Sequence, residues 1–237
     1  MSVQIGKASV YQNGLEISGD ITSLVLDVSQ EAIDDTTVSA STRTYTPGLI
    51  TAAISAEGYL NAGDHEEELY AATDSNQVIT VYPNDASANV VGYGMKGARS
   101  QLIYRGEIGQ LIRFTYDVFC TAQPLVRLNS MEGEVTKTST GDGTDYSLGA
   151  VSATQSVYCF LHVLAVSGTD TPTLTVKVQS SADGSTWGDE ITMTDATDVG
   201  AEAKSLAGAN TDTHWRITWT ISGTNPSFTF IAGVGIQ

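Results

Sequence analysis

The stretch "GYGMKG" at 92–97 has the spacing G-x-G-x-x-G, and Asp117 lies twenty residues beyond it. In a dinucleotide site such glycines let the backbone approach a pyrophosphate, the next helix N-terminus holds it, and the acid binds the ribose. The continuation "ARSQLIYRGEIGQLIRF" alternates like a strand and carries Gly106 and Gly109, so the glycines are assigned instead to a bend or bulge. His65, His162 and His214 stand far apart, without the His or Cys spacing that gathers zinc, and Cys120 and Cys159 read as small core residues. The acids of "DHEEE" have the ligand type for a hard cation, but they suit the solvated first turn of a helix better. No Ser/His/Asp or Cys/His order stands out, so no catalytic residue, metal ligand or cofactor is assigned. Because triad members converge from distant positions, an enzyme stays open as the third reading. Trp187, Trp215 and Trp219 are of the type that stacks on sugars. Trp215, Ile217, Trp219 and Ile221 occupy every second position and should share a buried sheet face, which leaves Trp187, beside a turn, as the candidate glycan contact.

The elements that would position these residues are mostly strands. "ASVYQNG", "TSLVLDVS", "LITAAISAEGYL", "QVITVYP", "RSQLIYRG" and "QLIRFTYDVF" are rich in Val, Ile, Thr and Tyr and end at turn formers. In "GDHEEELYAATDS", Asp64 as cap, Glu67 three residues later and the acids at 66–68 predict a short helix over about 65–73. The polar "SMEGEVTKTSTGDGTDYS" reads as a connection between domains, dividing the chain into 1–132 and 133–237. Beyond it "SVYCFLHVLAV", "TLTVKVQSS", "EITMT", "THWRITWTIS" and "SFTFIAGVGI" are again strands, with an Asp183-Gly184 turn in "SADGSTW". The expected class is mainly β: a β-sandwich or barrel with one short helix, then a second antiparallel β-sandwich of jelly-roll or immunoglobulin-like type.

Eleven Lys and Arg face 27 Asp and Glu in 237 residues, a formal charge of −16, which disfavours nucleic-acid binding through a basic face. The excess is spread over both halves, −9 before residue 133 and −7 after it, so it is not a tail. The start "MSVQIGKASVYQNG" lacks a signal-peptide pattern and no apolar run approaches a membrane span, which predicts a cytosolic chain without a membrane partner, unless it leaves inside a larger assembly.

One stretch resists a core reading: "AIDDTTVSASTRTYTPGLI", 32–50, sets hydroxyls, two adjacent acids and one arginine between two apolar strands. A connection this long needs contacts to offset its ordering entropy, about 1–2 kcal/mol per residue. Together with "DHEEELYAATD" and "VVGYGMKGARSQLIYRGEIGQLIRFTYDV", the segment 34–60 resembles the major tail (tail tube) proteins of long-tailed, siphovirus-type bacteriophages. The ending "DTHWRITWTISGTNPSFTFIAGVGIQ" is similar to a C-terminal β domain of phage virion proteins. The resemblance implies a virion tail protein assembled in the host cytoplasm. It also implies a homo-oligomer of stacked, usually sixfold rings around the tape-measure protein, bounded by tail terminator and baseplate proteins, with DNA passing through the lumen unbound. By the same resemblance Asp34, Asp35, Thr36, Thr37, Arg43, Thr44, Thr46, Pro47 and Gly48 belong to a loop that is mobile in the monomer and orders on the neighbouring ring. Ser39, Ser41 and Thr42 add hydroxyls, and Pro47-Gly48 turns the chain back into its strand. An acidic lumen would repel phosphates, and its candidate acids are Glu16, Asp20, Asp27, Glu57, Glu107 and Asp117. The 133–237 domain is expected to project outward. The second reading is a glycan-binding virion or secreted module using Trp187.

Overall fold

A computed structural model describes residues 7–60, 66–71 and 76–237. In chain order the strands are β1 (Ser9–Gln12), β2 (Leu15–Glu16), β3 (Ile21–Asp34), β4 (Tyr45–Tyr59), β5 (Gln77–Tyr82), β6 (Val91–Arg105), β7 (Arg113–Ser130), β8 (Val135–Lys137), β9 (Gly141–Asp142), β10 (Tyr146–Ser147), β11 (Ser156–Ser181), β12 (Gly188–Thr192), β13 (Gly200–Ala207) and β14 (His214–Ile236). Among the described residues the helical elements are α1 (Glu66–Ala71) and a 3-10 turn at Ser18–Asp20. The chain is mainly β, as its Val, Ile, Thr and Tyr content requires, and the strand pairs are antiparallel. Two compact units interleave in sequence: unit 1 takes the described residues of Met1–Gly19, Gln77–Met95 and Val126–Gln237, and unit 2 those of Asp20–Asn76 and Lys96–Leu125.

Unit 1 is organised by β11 and β14, which pair from Val157↔Ile236 to Ser181↔His214 with register shifts between Val163 and Thr173. Trp219 and Phe230 are eleven residues apart on β14, a separation of roughly 36 Å on a straight strand. Their ring centroids lie 5.9 Å apart, so the strand doubles back and its halves form two facing layers. The corner is made where Gly168 (φ +133) meets Pro226 and Gly223 (φ +112) meets Pro172; a Cβ on either glycine would fall 3.0 and 2.8 Å from those Cα atoms. Val157, Cys159, Leu161, Leu174, Val176, Trp215, Ile217 and Phe228 fill the space between the layers. The alternation read in "HWRITWTI" puts Trp215, Ile217 and Trp219 in the core and leaves Ile221 partly buried against it, and the two indoles donate to Gly149 O and Ser139 O at 2.9 Å.

The segment 130–147, expected to be a contact-poor connection, is instead laid along β14. β8 pairs with Phe228–Phe230, β9 with Thr218 and Trp219, and β10 with His214 and Trp215. Its polar composition suits this position because short edge strands face solvent on one side.

In unit 2, β4 lies between β3 and the first part of β7. One face of this sheet is apolar, with Ala52, Ile54, Ala56, Phe114, Tyr116 and Val118 buried. α1 begins with Glu66 and buries Leu69. The expected helix therefore forms over 66–71, while Asp64, His65 and 72–73 lie outside the described residues. A six-residue helix leaves most of its carbonyls without intrahelical donors. Arg99 of β6 supplies two bonds, Nη1 donating to Leu69 O at 2.6 Å and to Tyr70 O at 2.9 Å.

Candidate functional site

The glycines of the dinucleotide-like spacing all lie within β6, and no helix follows them. A Cβ at Gly92 would stand 2.4 Å from the Tyr82 ring, at Gly94 2.7 Å from Leu128 Cδ1, and at Gly97 2.4 Å from Phe119 O. They permit close packing of neighbouring strands and ring systems, which is a tighter requirement than the bend assigned from sequence.

His162 is buried in unit 1. The Gly14 N–H donates to its Nδ1 at 3.3 Å, so Nε2 carries the proton and donates to Thr80 Oγ1 at 2.9 Å. Burial pushes the imidazole down to about 3, which keeps it neutral. His214 pairs through Nδ1 with Asp145 Oδ2 at 2.8 Å, and His65 is outside the described residues. Burial pushes the Cys159 thiol up to about 12, the state of an inert core cysteine. Among the described residues no three His, Cys, Asp or Glu side chains gather as metal ligands, and no helix is long and apolar enough to cross a membrane. Trp187 is half-buried, with the Arg216 guanidinium 4.3 Å from its ring centroid, so a cation already covers one of its faces.

The stretch that resisted a core reading is a β-hairpin for most of its length. β3 and β4 stay paired as far as Asp34↔Tyr45, and only 35–44 connect them. Thr46, Pro47 and Gly48, expected in the loop, are strand residues. The register shifts between Gln30 and Ala32, so that Gly48 and Leu49 both lie opposite Glu31, a bulge that accommodates Pro47 beside it. A Cβ on Gly48 would stand 2.9 Å from Glu31 Cβ.

The tip closes on itself through its hydroxyls and acids. Thr36 N–H donates to Asp34 Oδ1 at 3.0 Å, Thr44 N–H to Thr36 Oγ1 at 3.0 Å, and Thr46 Oγ1 to Asp35 Oδ2 at 2.5 Å. Arg43 Nη1 stands 3.8 Å from Asp34 Oδ2, while Ala40 N–H donates to Thr37 O at 2.9 Å. Hydrogen bonding holds both carboxyls below the usual range, Asp34 through the Thr36 hydroxyl first and then the Thr36 amide, and Asp35 through the hydroxyls of Thr46 and Thr44.

β7 covers β4 only over Ala53–Tyr59, and beyond that the hairpin is a two-stranded ribbon. Val28, Ile33, Tyr45 and Ile50 on it are about half exposed, and Leu49 is 81% exposed. Such a ribbon is marginal alone in water, and its register puts Val28, Ile50 and Tyr45 on one face and Ile33 on the other, so both faces offer apolar side chains to a cover.

The six candidate acids are not brought together. Asp27, Glu57 and Asp117 share the polar face of β3–β4–β7: Asp27 pairs with Ala53, Asp117 with Ser55, and Glu57 with both Ser23 and Thr115, all on the side opposite the core. Arg113 answers them weakly, 4.0 Å from Glu57. Glu16 belongs to β2 in unit 1, Asp20 to the 3-10 turn, and Glu107 to the β6–β7 connection. Strand periodicity does not single out a further surface at that connection, where Ile108 and Leu111 are 107% and 70% exposed. The available signal was two aliphatics inside the glycine-bounded turn "GEIGQL".

No family model matches the chain, and no curated protein does. Among solved structures it is similar to a chain in the virion of a native gene transfer agent particle, at 14% identity and TM-score 0.44, covering 52% of this chain and 98% of that one. A chain of the extended sheath-tube complex of the extracellular contractile injection system PVC gives 12% identity and TM-score 0.44, covering 54% and 92%. The SPP1 Dit protein, of a hub adsorption apparatus in phages infecting Gram-positive hosts, gives 12% and 0.37, covering 97% and 99%.

Proposed function

We propose that the chain is a structural subunit of a phage tail, whose work is contact between copies and not a reaction. The observation that carries this reading is the uncovered β3–β4 ribbon, with apolar side chains on a folded, internally bonded scaffold. Covering each half-exposed Val, Ile or Tyr would contribute about 1 kcal/mol, a sum that offsets part of the cost of association and leaves the rest to strand, polar and charged contacts. The resemblance of 34–60 and 90–118 to tail tube proteins supplies the geometry. Copies form stacked rings, sixfold in the usual arrangement, with 34–48 reaching the neighbouring ring and growth ended by tail terminator and baseplate proteins.

In this reading Asp27, Glu57 and Asp117 face the lumen, where their charge keeps the passing DNA from adhering once the tape-measure protein has left. The strands of unit 2 would build the tube wall, and 133–237, which packs with residues 7–19 and 77–95 in unit 1, would decorate the outside. The subunits assemble in the host cytoplasm and end in the virion tail.

Concentrated protein viewed in negative stain should give uniform hollow filaments. Deleting Val38 to Thr44 should leave a folded, soluble monomer that forms none. Discrete particles from the intact chain at every concentration refute the reading, and normal tubes from the deletion variant refute the role of the tip.

A further inference from the structure

We propose that the β6–β7 tip of one copy receives the β3–β4 ribbon of a second copy, with Arg105 and Arg113 opposite the acids of the ribbon tip. This rests on the self-assembly reading above and adds the receiving surface to it.

Copies of a chain with charge −16 repel at long range, so a contact between them must place the few cations against acids. In unit 2, Arg99 is engaged by the carbonyls of α1 and Arg43 by Asp34. Arg113 is more than half exposed, 4.0 Å from Glu57 and 5.6 Å from the Tyr59 ring centroid. Arg105 makes no ion pair among the described residues and is exposed. Both arginines line an open cleft of about 760 Å³ together with Tyr59, Tyr104, Gln110 and Leu111. Beside it stands Ile108, fully exposed. Planar guanidinium groups next to tyrosine rings and aliphatics suit a partner that presents carboxylates and apolar side chains at once.

The ribbon is such a partner. Its end carries Glu31, Asp34 and Asp35 against the one cation Arg43, and Tyr45, Leu49 and Ile50 lie exposed alongside. Hydrogen bonds from threonines hold Asp34 and Asp35 in place, so the acids meet a partner already oriented. The cleft also carries Glu107, so recognition is local, arginine to aspartate, and not a meeting of two surfaces of uniform sign.

A charge exchange tests the contact. One variant carries Arg105→Glu and Arg113→Glu, the other Asp34→Lys and Asp35→Lys, and circular dichroism checks the fold of each. Each alone should need at least about tenfold more protein to assemble than the unaltered chain, measured by sedimentation. An equal mixture should assemble again, because every contact between unlike variants pairs opposite charges. Assembly of either variant at the unaltered concentration, or a mixture that stays as dispersed as its components, overturns the contact while leaving self-assembly standing. Failure of the unaltered chain to assemble overturns both.

Discussion

Acid should weaken unit 1 through His162 in a way that can be calculated. The imidazole is buried, donates to Thr80 and accepts from Gly14, and its folded-state pKa is pushed to about 3, against about 6.5 in an unfolded chain. Between those values the unfolded chain binds a proton that the folded one refuses. Stability is therefore intact above pH 6.5, falls as the pH drops from 6.5 towards 3, and stops falling on this account below 3. The slope is about 1.4 kcal/mol per pH unit, so the loss relative to pH 7.5 is about 1 kcal/mol at pH 5.5 and roughly 2–3 kcal/mol at pH 4.5. All three tryptophans, Trp187, Trp215 and Trp219, lie in unit 1, so urea unfolding followed by tryptophan fluorescence reads that unit directly. The His162→Gln variant removes this titration and keeps every other group, including His214 and the carboxylates. The difference between unaltered protein and variant should shrink or invert by those amounts as the pH falls. A difference that stays constant from pH 7.5 to 4.5 would mean that the imidazole takes up its proton in the folded state, and the burial argument would fail.

Two further outcomes test local claims. Gly97→Ala puts a methyl group against Phe119 O, and it should cost about 1–3 kcal/mol or more in chemical unfolding whether or not any nucleotide is present; an unchanged midpoint would contradict the close strand approach. Asp34 has its folded pKa lowered, first by the Thr36 hydroxyl and then by the Thr36 amide, so its bond to that amide should persist as the pH falls through the ordinary carboxylate range and break only at the depressed value below it. An NMR titration of the Thr36 amide with its inflection at or above the ordinary value would refute the bond.

Local patterns reached far into this structure. Alternation placed Trp215, Ile217 and Trp219 in the core, the acid-rich stretch around Glu66 foretold a helix where α1 lies, and "SADGSTW" holds a turn in which Asp183 Oδ1 accepts the amides of Ser185 and Thr186 at 2.8 Å. Each is decided within a few residues, by side-chain period or by a bond to a near neighbour, so the chain carries it whatever surrounds it.

Pairing decided the rest. "THWRITWTIS" and "SFTFIAGVGI" looked like two strands because Gly223 and Pro226 punctuate them, yet they are one strand whose corner is set by contact with Pro172 and Gly168, more than fifty residues away. Pro47-Gly48 looked like a turn, yet it lies inside β4 because β3 offers Glu31 opposite a bulge. The polar run 130–147 looked loose until β14 supplied its partners. Glycine, proline and polar residues state only what the backbone can do locally; whether they end a strand, bend it or lie against one depends on which distant backbone comes to meet them, and that is a property of the folded chain.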